Sequence, residues 1–165
     1  MINLNKKNKG FSLIETLFYI SLFAIVSLIL VRATLTMISA FRDTQVTADI
    51  NQTNQVLERI SREIRLANSV NTISSSSLKL NTEDSSDNPK TITFTLNGTN
   101  LELRENDVLT GNLNSTNLAI SALNFTQITT TNSIAIRITM TVKSNRYGST
   151  RTEDFNNTLV LRGSY

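Results

Sequence analysis

The sequence predicts an α+β fold: a long N-terminal α-helix, apolar in its first half and amphipathic in its second, packed on an antiparallel β-sheet. Three observations predict it. Residues 11–67 contain no Gly and no Pro. In the second half of that stretch, apolar residues recur three or four positions apart. From residue 68 onward the rhythm changes to short runs of alternating apolar and polar residues, broken by turn-forming residues.

The helix begins with the run FSLIETLFYISLFAIVSLILV, Phe11 to Val31, whose only charge is Glu15. At about 1.5 Å per residue, a helix of this length spans roughly 30 Å, the thickness of a bilayer's hydrocarbon core. Lys6, Lys7 and Lys9 precede it, and Arg32 follows it. The positive-inside rule therefore predicts residues 1–10 in the cytoplasm and the remainder outside. Those three lysines also account for the net charge. Without them, thirteen basic residues balance thirteen acidic ones. The basic character belongs to the N-terminal tag, and the body carries no electrostatic footprint of a nucleic-acid binder.

Glu15 separates three readings of the apolar run. A secretory signal peptide cut near Ala33, with Val31-Arg32-Ala33 as the site, has a shorter apolar region and no carboxylate within it. A plain signal anchor likewise has no use for a charge that costs about 2.5–3.5 kcal/mol deep in the bilayer. Cleavage between Gly10 and Phe11 gives the charge a role. Phe11 then carries a free ammonium group, and Glu15 lies about 6 Å further along the helix axis, near the positive end of the helix dipole. Its carboxylate can neutralise that amine or the amine of a neighbouring subunit.

The stretch Lys9-Gly10-Phe11-Ser12-Leu13-Ile14-Glu15 resembles the N-terminal signal of type IV prepilins and type II secretion pseudopilins. The likeness lies in a basic leader, Gly before the cut, Phe after it, and Glu at the fifth mature position, and it covers about 25 residues. It implies cleavage after Gly10 by a prepilin peptidase and N-methylation of Phe11 by the same enzyme. It also implies the "lollipop" shape of pilins and a filament subunit whose Glu15 forms the assembly salt bridge. The implied partners are the peptidase, other pilin or pseudopilin subunits, an inner-membrane assembly platform and membrane lipid. The expected location is the cytoplasmic membrane, single-pass with the body outside, and then the filament. Arg32 stands where many major pilins have a helix-kinking proline, which points to a minor subunit and a continuous helix. The order of elements in the body looks closest to minor subunits of the J or W class. The system served is left open: pilus, type II secretion or competence.

The expected organisation is a leader over 1–10, a transmembrane half-helix over 11–31, an amphipathic half-helix over 32–67 and a β-rich domain over 68–165. The amphipathic stripe comprises Leu35, Ile38, Val46, Ile50, Leu57, Ile60, Ile64 and Ala67. Glu58 with Arg62, and Arg59 with Glu63, are spaced as i,i+4 ion pairs. Asn68-Ser69 offers a stop.

In the body, Leu78–Leu80 reads as a short strand and Thr82–Lys90 as a polar loop. Thr91–Arg104 reads as a hairpin turning at Asn97-Gly98 in type I′ geometry. A strand is expected over Leu123–Ile128. The strict alternation from Ile134 to Val142 predicts one buried and one wet face. Phe155, Leu159 and Leu161 mark a last strand, for five or six in all.

Nothing in this sequence assembles a catalytic centre. With no His and no Cys, imidazole bases, thiol chemistry and the commonest zinc ligands are absent. No enzyme, no cofactor and no metal is expected. Two features offer minor alternatives. Glu83, Asp84 and Asp87 are hard oxygen ligands in one loop, but their spacing fits no calcium loop, so a solvated acidic turn is the simpler reading. Lys143, Arg146 and Arg151 cluster near the last turn, while residues 68–165 hold eight basic and eight acidic side chains. An anchored module gripping DNA, a surface or an exported substrate through 82–90 or 144–151 is the second class of function. Asn97, Asn114 and Asn124 head sequons by pattern alone.

Overall fold

The computed structural model describes residues 10–131, 133–148 and 151–162. Lys6, Lys7 and Lys9 of the leader lie outside the described residues. The chain divides into two compact units, Met1–Arg42 and Asp43–Tyr165. One helix, α1 (Leu13–Leu66), supplies the described secondary structure of the first unit and the opening of the second. It starts two residues later than predicted and ends one earlier. Eight strands follow: β1 (Ser69–Ile73), β2 (Ser77–Glu83), β3 (Pro89–Asn97), β4 (Asn100–Glu105), β5 (Val108–Asn112), β6 (Leu118–Thr129), β7 (Ile134–Ser144) and β8 (Thr152–Val160). A 3-10 turn over Arg146–Gly148 lies between the last two.

In the first unit the helix is apolar on all sides, and its large side chains from Leu13 to Phe41 are exposed. A helix of that composition needs a non-aqueous environment or other helices around it. Its apolar window has a mean hydropathy of 2.3, long and apolar enough to cross a membrane. Leu35 and Ile38, counted in the predicted stripe, are among the exposed residues. The buried stripe starts instead at Val46.

In the second unit α1 packs on two antiparallel sheets rather than one. β1 to β5 form a five-stranded meander in sequence order, and β6, β7 and β8 form a three-stranded sheet. Ile50, Ile60 and Ile64 of the helix meet Leu78, Leu80, Ile92, Phe94 and Leu101 of the first sheet. Leu118, Ile120, Ile136 and Ile138 of the second complete the same core. The strict alternation of β7 is realised: Ile136, Ile138, Met140 and Val142 are all buried. Two hydrogen bonds join the sheets at the edge of β6, from Ile120 N–H to the Thr99 carbonyl (3.0 Å) and from Phe125 N–H to the Ser75 carbonyl (3.0 Å).

The turns differ from the expected register. Asn97 pairs with Asn100, so the two loop residues are Gly98 and Thr99. Gly98 has φ +62° at the first central position, where type II′ turns place glycine, so the predicted type I′ turn at Asn97-Gly98 is displaced by one residue. The positive φ pair that defines a type I′ turn occurs instead at Asn106 and Asp107 (49° and 66°), between β4 and β5. That hairpin was not predicted.

Candidate functional site

The candidate site is the segment from Gly10 to Thr16. Residues 10–12 precede the helix, so the Gly10–Phe11 bond lies in irregular, exposed backbone. A peptide bond there is accessible without unwinding a helix. The Ser12 carbonyl accepts from Glu15 N–H (3.0 Å) and Thr16 N–H (3.2 Å), which starts the helix. The Thr16 hydroxyl donates to the Leu13 carbonyl (2.8 Å). The Phe11 ring, 72% exposed, meets Tyr19 edge to face at 6.3 Å. Nothing lies within 4 Å of the position a Cβ on Gly10 would take. The chain's own packing therefore gives no reason for glycine at this position.

Glu15 is exposed in the first turn of α1. A carboxylate there is favoured by the unsatisfied N–H groups at the helix start. Gly10, Phe11 and Glu15 thus fall within one turn of the helix origin.

The other charged features are engaged within the body. Asp84 Oδ1 accepts from Ser86 N–H (2.8 Å) and Asn88 N–H (3.0 Å) and so closes the turn between β2 and β3. The Asn88 backbone and side chain, then Ser86, hold the Asp84 carboxyl below the usual carboxylate range. Glu83 accepts from Asn68 Nδ2 (2.9 Å). Glu83, Asp84 and Asp87 therefore form no ligand cage, and among the described residues no group of three acidic side chains is placed to hold a metal ion.

Two of the basic residues near the last turn, Arg146 and Arg151, bind the helix. Arg146 Nε donates to Asp49 Oδ2 (2.7 Å), which also accepts from the Ser144 hydroxyl (3.1 Å). Arg151 donates to Thr47 (3.1 Å) and to Glu153. The Tyr147 hydroxyl donates to Gln45 (2.6 Å). These contacts clasp residues 45–49 of α1 to the β7–β8 connection. Asp49 was not singled out from the sequence. Its signal was a polar residue placed beside Ile50 and four before Thr53 on the buried stripe. On the helix, Arg59 pairs with Glu63 as predicted (3.1 Å), whereas Arg62 approaches Glu63 (4.0 Å) rather than Glu58. The sequon residue Asn114 is 7% exposed; it accepts from Leu101 N–H (2.8 Å) and donates to the Leu118 carbonyl (2.6 Å), a structural role.

Residues 5–31 match the family described as the prokaryotic N-terminal methylation motif. The matched segment contains the leader lysines, Gly10, Phe11, Glu15 and the apolar half-helix. No curated protein and no solved structure matches the chain. The motif and the α+β fold together support a pilin-like precursor with an apolar N-terminal helix.

Proposed function

We propose that the protein is a minor pilin or minor pseudopilin, a structural subunit of a type IV pilus, type II secretion or competence filament. The match of residues 5–31 to the methylation motif carries this reading. A prepilin peptidase removes residues 1–10 and methylates Phe11. The open backbone at Gly10–Phe11 supports that step, as does a glycine that the chain's own packing does not require. The mature chain waits in the cytoplasmic membrane through residues 11–31, with its body outside. An assembly platform then moves it into the filament, where the exposed apolar helix packs on other subunits. The Glu15 carboxylate pairs with the Phe11 amine of a neighbour, which sets the register. The body, with its hairpins followed by long alternating strands, fits the J or W class.

Glu15→Val tests the register. The variant inserts into the membrane at least as well, because a charge leaves the apolar segment. It is missing or strongly depleted from sheared filaments. Normal incorporation contradicts the pairing.

A further inference from the structure

Edge strands invite pairing with other chains, and folded proteins usually blunt them. The two sheets present four edges. β1 and β5 are five residues long, and each joins its neighbour through a shift in register. The outer edge of β6 is bonded across to Thr99 and Ser75, in the turns that join strands of the other sheet. β8 is different. It runs for nine residues, pairs with β7 without a shift, and contains neither Lys nor Pro; its two acids are engaged, Glu153 by Arg151 and Asp154 by the Thr141 hydroxyl. Leu161 N–H bonds the Ile134 carbonyl (3.0 Å), which fixes the phase of that ladder. In an antiparallel pair the bonding residues alternate, so Asp154, Asn156 and Thr158 turn their N–H and C=O groups to the open side.

A cleft of about 1020 Å³ runs beside this edge, between β8 and the second unit's part of α1. Arg59, Arg62 and Arg65 line its helical wall, and Phe155 and Asn157 its strand wall. Arg162 extends the basic surface past Thr158 and Val160. Among the described residues Arg65 and Arg162 have no ion-pair partner. Arg59 and Arg62 share the single carboxylate of Glu63. Among the described residues lining the cleft, Arg59, Arg62 and Arg65 outnumber the one acid, Glu58, by two charges.

We propose that the open edge of β8 takes up an extended, acidic segment of another protein, which adds a strand to the β6–β7–β8 sheet. Backbone hydrogen bonds to Asp154, Asn156 and Thr158 supply the pairing, and the arginines select glutamates or aspartates on the side facing α1. A second copy of this chain is a poor donor. Its own acidic run, Glu83 to Asp87, is held in a tight turn by Asp84 and Asn88.

The probe is a capped nine-residue peptide alternating Glu and Val, with a Lys-Val peptide as its counterpart. Binding to the full-length protein in detergent micelles is read by fluorescence anisotropy, and the contact is located by amide hydrogen exchange. The acidic peptide binds, slows exchange at Asp154, Asn156 and Thr158, and weakens as salt rises. Thr158→Pro removes an outward N–H and leaves the β7 ladder intact, so it abolishes binding with an unchanged melting curve. The double variant Arg65→Glu/Arg162→Glu, on the surface, weakens binding by about tenfold or more and keeps the proposal testable if the proline disturbs folding. Equal binding of the two peptides, protection elsewhere than β8, unchanged affinity in the arginine variant, or self-association through β8 overturns it.

Discussion

Asp49→Ala is the sharpest test of how the body holds its helix. Asp49 is 6% exposed and accepts from Arg146 Nε (2.7 Å) and the Ser144 hydroxyl (3.1 Å). Loss of one partner from a fully buried ion pair costs about 3–5 kcal/mol. Here the Arg146 side chain is 36% exposed, so water solvates the guanidinium once Asp49 is gone. The larger residue of the cost lies with Ser144, which is fully buried and loses its acceptor. One unsatisfied buried hydroxyl costs about 1–3 kcal/mol, so the expected total is about 2–3 kcal/mol. That is a large share of the stability of an ordinary domain, about 5–15 kcal/mol. The assay is urea denaturation of the full chain in micelles, followed by the β-sheet circular dichroism signal. Asp49→Asn, which keeps an acceptor for Ser144, loses less. The double variant with Arg146→Ala is less destabilised than the two single losses added together, because the two side chains interact directly. A loss below about 0.5 kcal/mol for Asp49→Ala, the scale of an inert surface change, refutes the clasp.

Three further predictions follow from the core and the turns. Ile60 is fully buried, so Ile60→Ala costs about 2–5 kcal/mol in the same denaturation assay. The buried Thr53 hydroxyl has no hydrogen-bond partner among the described residues, so Thr53→Val stabilises by about 1 kcal/mol, read as a raised urea midpoint. The hydrogen bond from Asn97, then those from Arg104, hold the Glu102 carboxyl below its ordinary value of 4.5. A carboxyl lowered in the folded state stabilises fully above its unfolded pKa, and that contribution is lost as pH falls through the lowered value. Glu102→Gln therefore flattens the loss of stability below pH 4.5, measured as melting temperature against pH.

The sequence made some elements plain because one physical pattern determined each of them. The helix followed from a long stretch without Gly or Pro and from the spacing of Val46, Ile50, Leu57, Ile60 and Ile64. β7 followed from strict alternation, which survives because one face must be buried. Alternation identifies faces but not neighbours, so the division into two sheets was not legible. β1 (SVNTI) and β5 (VLTGN) were missed because polar residues and a glycine mask their periodicity; they are strands through pairing with β2 and β4. Asp49 was missed because its partner Arg146 lies 97 residues away. Arg146 and Arg151 read as a basic patch for the same reason: their partners on α1 are distant in sequence. The candidate site is local, so it can be named from the sequence alone. Gly10, Phe11 and Glu15 lie within six residues and need no tertiary fold to define them.

The central claim is that the working protein begins at Phe11. Mass spectrometry of the N-terminal peptide, from protein purified out of cells containing a prepilin peptidase, tests it directly. The expected product is a chain starting at N-methylated Phe11, with Glu15 fifth in the mature sequence. A chain starting at Thr34, or one retaining Met1, contradicts it.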